Sequence, residues 1–301
     1  MFITCCNRFN FMLYTLFLAA IITSASKKSV PIPASSFAKS DNPLRQPFSL
    51  HNWTLQLPIG VGSDFETVRN PLLSEPGYGN DFFHLNKPGN AYVFHTPVLP
   101  ENGVSSENSA FTRTELREMN HTNNKLEASW DTVKGVHYMK VTQSINSISS
   151  STEGKLINFQ IHSDCCAVLT VRLFSKPETG VLLFADFDKF ANGSLTKIIG
   201  ADKYPLIENY VLGTIFDLEV VVDNGLVYVY LNGVLKSPKE GYRSNLLAVY
   251  FKAGSYSQNV PSATIPATAV NEVSIYKMEL YHGDGPYTPP TPSNPTIDSD
   301  Y

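Results

Sequence analysis

The sequence predicts an all-β protein, a jelly-roll sandwich of two antiparallel sheets in which one sheet offers a concave face. Three observations carry that reading. Short runs of alternating apolar and polar residues follow one another from Trp53 to Tyr281, and Asp223-Asn224-Gly225 and Asn232-Gly233 are hairpin turn signals between them. No stretch shows a helical period, which argues against a βαβ architecture. A single domain with this many strands folds most simply as two packed sheets.

Taken in order, Asn52 to Pro58 alternates as a strand closed by a proline, and Asp64 to Lys87 is rich in turn formers and reads as a long surface loop. A strand is expected at Ala91 to His95. From there strands are expected at Phe111 to Glu118, Lys125 to Val133, Val136 to Ser144, Lys155 to His162, Ala167 to Phe174 and Val181 to Asp186. Four more follow at Thr214 to Val222, Leu226 to Leu231, Leu246 to Tyr256 and Glu272 to Tyr281.

The ends differ from this middle. Residues 1–25 carry Arg8, an apolar run from Phe11 to Ile22 and small residues at Thr23 to Ser26, the layout of a signal peptide; the run is short for a membrane span. Residues 26–46 read as a flexible lead-in, 47–285 as the domain and 286–301 as a disordered proline-rich tail. The expectation is a secreted, extracellular monomer with no membrane contact after cleavage. A net charge of −4 with 17% charged residues excludes a general nucleic-acid surface, so attraction for a polyanion must be local. Asn52, Asn120 and Asn192 stand in sequons. Cys5 and Cys6 leave with the leader. Cys165 and Cys166 are neighbours, too constrained for an ordinary bridge and without further ligands at metal-binding spacing, so no metal and no cofactor is expected.

Three strands carry chemistry on one face. In Val249 to Gln258, period two puts Tyr250, Lys252, Gly254, Tyr256 and Gln258 together, and the glycine suggests close approach of a ligand to the backbone. In Phe111 to Glu118 it groups Arg113, Glu115 and Arg117, a cationic fork suited to carboxylates, although such a strand alone is more often a solvated ion-paired face. In Leu156 to His162 it groups Asn158, Gln160 and His162 opposite Ile157, Phe159 and Ile161. A lone strand histidine is usually structural, yet the three faces together supply guanidiniums, an amide, an imidazole, an ammonium and a phenol. That inventory suits proton abstraction beside a carboxylate. It lacks the two opposed carboxylates of a glycosidase, for which Asp186 and Asp188 are the nearest candidates.

The blocks Arg113-Thr-Glu-Leu-Arg117, Gln160-Ile-His162 and Tyr250-Phe-Lys-Ala-Gly-Ser-Tyr-Ser-Gln258 resemble, in order, the signature blocks of the alginate lyases of polysaccharide lyase family seven. The resemblance spans Trp53 to Tyr281. It implies a β-jelly roll with a substrate cleft on its concave sheet and metal-independent β-elimination of alginate, leaving a 4,5-unsaturated uronate end. It further implies that Arg113, Gln160, His162 and Tyr256 are catalytic, and that Glu115, Arg117, Lys252, Gln258 and Tyr250 line the cleft or hold that set. Ser163-Asp-Cys-Cys166 departs from the family pattern at the cleft edge. A phenol gives up its proton reluctantly, so Tyr256 acting as a base calls for a cation beside it, with Lys252 or Arg117 as the expected donor. The alternatives are a lyase acting on another polyuronate such as glucuronan, and a carbohydrate-binding jelly roll without catalysis.

Overall fold

The computed structural model describes residues 46–105, 109–177, 180–191, 194 and 197–292, and these form two antiparallel sheets packed face to face. The strands are β1 (Trp53–Val61), β2 (Asp64–Val68), β3 (Phe83–Leu85), β4 (Tyr92–Pro97), β5 (Arg113–Glu118), β6 (Val136–Ser147), β7 (Lys155–His162) and β8 (Ala167–Lys176). They continue with β9 (Gly180–Phe190), β10 (Ile198–Ile207), β11 (Ile215–Asp223), β12 (Leu226–Leu231), β13 (Val234–Leu235), β14 (Tyr242–Arg243), β15 (Tyr250–Ser257) and β16 (Val270–Gly283). One sheet runs β10-β9-β8-β7-β15-β5-β1-β2; the other runs β13-β12-β11-β6-β16-β4-β3, with β14 paired to β12.

Alternation builds the core. Leu55, Leu116, Phe159, Phe187 and Phe251 point inward from the first sheet to meet Phe94, Met139, Phe216, Leu218 and Val273 from the second, all fully or almost fully buried. The core reaches back to Phe48 and Leu50, ahead of the first strand.

Several expectations need correction. Asp64 to Lys87 is not one long loop, since it holds β2, a 3-10 turn at Leu72–Ser74 and β3, with Leu73 and Phe83 in the core. β10 was unforeseen because Gly200 and Pro205 interrupt it; it is an edge strand, where a missing ladder donor is tolerated. The strand expected at Lys125 to Val133 is instead a loop with isolated bridges at Met119–Glu127 and Trp130–Val249. There Asn120 Oδ1 accepts from the backbone N–H groups of Thr122 and Asn123, and that local turn competes with a ladder. The tail expected to be disordered begins as a docked segment: Tyr287 donates its hydroxyl to Glu219 at 2.8 Å and packs beside Tyr138 and Tyr230. The leader, residues 26–45, Asn192 and residues 293–301 lie outside the described residues.

Candidate active site

The three polar blocks fall on adjacent strands, since β7, β15 and β5 lie side by side in the first sheet. Directly opposed residues share a face, so the register gives two rows across the outer surface. One row is Arg113, Tyr256, Ile157, Arg172, Phe184 and Pro205; the other is Arg117, Lys252, Gln160, Thr170, Asp186 and Lys203. Glu115 lies between them, opposite Gly254, and His162 lies beyond, opposite Tyr250.

Ile157 was expected in the core, and the structure places it outside. A bulge explains this. Between Ile157 and Phe159, β7 advances two residues against one on β8, while β15 advances three against the same two. Asn158 is the extra residue on β7, and it re-phases the strand so that Leu156 faces the core and Ile157 faces Tyr256. Gly254 sits in the neighbouring bulge with φ 144°, and a Cβ there would lie 2.5 Å from Thr114 O and 2.9 Å from Phe94 Cδ1. The glycine therefore serves backbone packing, a different reason from the ligand approach inferred from sequence.

At the centre is Glu115, fully buried on the outer side of β5. Lys252 Nζ is 2.5 Å from its Oε2, Gln160 Nε2 donates to its Oε1 at 2.5 Å, and Arg113 lies 3.6 Å away. Burial alone would raise this carboxyl, but the charges of Lys252 and Arg113 and the two hydrogen bonds hold it below its ordinary range. Lys252, 3% exposed, is pulled down to about 8 by burial, which Glu115 only partly offsets, so both groups are charged at neutral pH. Gln56 on β1, missed in the sequence, accepts from Lys252 at 2.9 Å. This is no solvated face. It is a dry ionic cluster that fixes the Gln160 amide and leaves that amide a second N–H.

Arg117 is not held by Glu115 as the fork implied. Its guanidinium is 2.6 Å from Glu127 and stacks 3.9 Å from the centre of the Tyr250 ring. The cation on Tyr256 is Arg113, 3.9 Å from the ring centre, in place of Lys252 or Arg117. Arg113 Nε has no hydrogen-bond partner among the described residues. Ser109, which carried no sequence signal, lies 2.6 Å from the Tyr256 hydroxyl, and Phe111 packs edge-on against the ring.

His162 donates Nδ1–H to the carbonyl of Ser163, because a carbonyl can only accept. Its Nε2 therefore carries the lone pair. Burial and the Lys252 charge lower the imidazole to about 4, so it is neutral through the physiological range. Tyr250 OH is 3.4 Å from the same Nδ1. Five residues separate His162 from Ile157, the neighbour of Tyr256, or roughly 15 Å of strand. Imidazole and phenol thus flank Glu115, Lys252 and Gln160 from opposite sides. Gln258 stands one residue past β15 with its amide turned onto the carbonyl of Ser257, and the structure does not bring it into the cluster.

Beyond Ile157 the outer face runs on to a groove of about 550 Å³ floored by Phe174, Leu182, Phe184 and Pro205 and edged by Lys203. Asp186 pairs with Arg172 at 3.1 Å, so it is no half of an acid pair. At the cleft edge Cys166 is buried and Cys165 exposed, with their Sγ atoms 2.6 Å apart.

Comparison with known proteins finds the same two-sheet fold. The solved structure of alginate lyase AlgAT5 from polysaccharide lyase family seven is 31% identical, with a TM-score of 0.65 over 79% of this chain and 97% of that one. The alginate lyase from Corynebacterium sp. is 27% identical, with a TM-score of 0.66 over 80% of this chain and all of the other. An alginate lyase of Klebsiella pneumoniae is 31% identical over 101 residues, a match that spans 33% of this chain and 30% of that relative's length. The alginate lyase family model matches residues 48–282, nearly the whole two-sheet domain, and the chain belongs to that family.

Proposed function

We propose that the protein cleaves alginate by β-elimination, with Arg113, Gln160, His162 and Tyr256 as its catalytic residues. The observation that carries this is the placement of a neutral imidazole and a phenol on opposite sides of a buried cationic cluster. A uronate C5 proton is acidic only if negative charge moving onto the C6 carboxylate is stabilised. Arg113 and the second Gln160 N–H supply that stabilisation, the kind of electrostatic contribution that is usually largest in such reactions. His162 Nε2 takes the C5 proton, the C4–O4 bond breaks as the C4–C5 double bond forms, and Tyr256 gives its proton to O4. Arg113 and Ser109 orient that phenol.

Guluronate carries its C5 proton and O4 on opposite sides of the ring, so flanking base and acid suit guluronate linkages. Mannuronate, with both on one side, would need Tyr256 for both transfers. The scheme calls on no metal, since the positive potential comes from side chains. A solved family-seven relative, 25% identical, is described with the product GGG bound, which supports a polyuronate as ligand of this face. The leader-like residues 1–25 support action outside the cell.

The test is ultraviolet absorbance of the unsaturated product on polyguluronate, polymannuronate and glucuronan, with and without chelator. The wild-type rate should be highest on polyguluronate, persist in chelator, and fall by roughly 10²- to 10⁴-fold in Tyr256→Phe. Binding without product on every polymer would leave a carbohydrate-binding protein.

A further inference from the structure

The inner side of β5 carries a second cluster that the cleft does not use. Glu118 points away from Arg117 into the space between the sheets and is fully buried. Its Oε2 accepts from Trp130 Nε1 at 3.0 Å and from the Phe251 N–H at 2.9 Å. Its Oε1 faces two imidazoles, His282 Nε2 at 2.6 Å and His121 Nε2 at 3.4 Å. These three ligand atoms lie within 4.8 Å of one another.

The hydrogen bonds behind the imidazoles fix which nitrogens carry protons. His137 Nε2 is 2.7 Å from the Lys134 carbonyl, so it donates, and neutral His137 then accepts at Nδ1. His282 Nδ1, 2.6 Å away, must be the donor to it. Its Nε2, 2.6 Å from Glu118 Oε1, donates to that carboxylate, and a cation bound there takes the place of this proton. At His121 the partner at Nδ1 decides which nitrogen carries the proton. The Asn52 amide faces its Nδ1 at 3.1 Å with Nδ2, while Asn52 Oδ1 is shielded and has no partner among the described residues. Turning that amide over satisfies Oδ1 with the His121 Nδ1–H and frees the Nε2 lone pair. Two imidazole nitrogens and a carboxylate oxygen thus gather within 4.8 Å, and a cation among them displaces the proton that His282 shares with Glu118.

We propose that Glu118, His121 and His282 bind one zinc-class divalent cation that fastens the two sheets at this end of the sandwich, with His137 and Trp130 as positioning residues. Two imidazole nitrogens and one carboxylate oxygen form a donor set that suits zinc over calcium or magnesium. Ligands ~2.0–2.1 Å from a tetrahedral zinc lie about 3.3 Å apart. The Glu118–His121 separation already matches that edge, and His282 need withdraw by less than its own bond length. The hydrogen bond that His282 gives to His137 and the one that Glu118 accepts from Trp130 are the outer support such sites require. His121, with its side chain 36% exposed, marks the side from which a cation and a fourth, water, ligand would enter.

The experiment uses the purified full chain, stripped with chelator and dialysed, with zinc alone added in a titration calorimeter and cobalt alone added for absorption spectroscopy. One equivalent of zinc should bind, melting should shift upward by several degrees, and cobalt should give the intense visible bands of a tetrahedral site. His121→Ala, chosen because His121 lies at the surface, should bind zinc at least tenfold more weakly and lose those bands; Glu118→Gln should do the same. Turnover well below the melting temperature should be the same with and without zinc. Absence of saturable uptake would leave a protonated His282–Glu118 ion pair and overturn the assignment, as would equal uptake by His121→Ala. A rate that rises with zinc would place the cation in the cleft and overturn it equally.

Discussion

Glu115 and Glu118 stand three residues apart on one strand, both fully buried, and they do opposite work. Glu115 faces outward and is held by an ammonium, a guanidinium and an amide; Glu118 faces inward and is held by imidazoles, an indole and a backbone N–H. A buried carboxylate is costly in either place, and only its partners decide what the cost achieves. On the outer side the partners are groups that a substrate also needs. On the inner side they tie β5 to its neighbour β15, to the loop that follows β5 and, through His282, to the other sheet.

Exchanging the two should separate activity from stability. Glu115→Ala leaves Lys252 buried without its counter-charge, so unfolding in urea should show a loss of about 3–5 kcal/mol, together with a large fall in kcat because Gln160 is no longer held. Glu118→Ala should lower stability on a similar scale, yet leave kcat of the folded protein near the wild-type value. Equal loss of kcat in both would erase the distinction.

Acid offers a second way to sharpen it. His162 has a folded pKa of about 4 against an ordinary 6.5, so the folded state resists protonation. Its contribution to stability is complete above about 6.5 and is lost as pH falls toward about 4, on the order of 3 kcal/mol in total. His162→Gln should flatten the melting curve against pH across that interval; a slope equal to that of the wild type would remove His162 as its cause.

The smallest expected effect is that of Phe184, set against Phe187 on the same strand, β9. Phe187 points inward and is fully buried, and Phe187→Ala should cost about 3–5 kcal/mol. Phe184 points outward into the groove, and Phe184→Ala should cost less stability while raising KM a few-fold for long alginate chains and leaving trimers unaffected. A KM unchanged for every length would mean the polymer does not run along that groove.

The same inner and outer division explains what could be read from the sequence. β7, β11 and β12 are flanked on both sides, and their alternation marked them to within a residue or two. β2, β3, β10 and β13 are edge strands, short or interrupted by glycine, proline and charge, and none stood out from loop. In the site, parity grouped Arg113, Glu115, Gln160, His162, Lys252 and Tyr256 correctly. It could not give their pairings, which depend on register: Arg113 rather than Arg117 meets Tyr256, and Gln56 and Ser109 arrive from other parts of the chain. Nor could alternation foresee a bulge that interrupts alternation itself.

That bulge makes chain length, at one position, matter more than residue identity. Asn158 works as a frame marker: everything before it on β7 is read in one phase and everything after it in the other. Replacing it keeps both phases. Removing it joins the two halves in one unbroken alternation, with Leu156, Phe159 and Ile161 inward and Ile157, Gln160 and His162 outward, whereas a residue added anywhere else on the strand forces one half to turn over. Among related chains, a one-residue gap is therefore tolerated at this position and at no other on the strand.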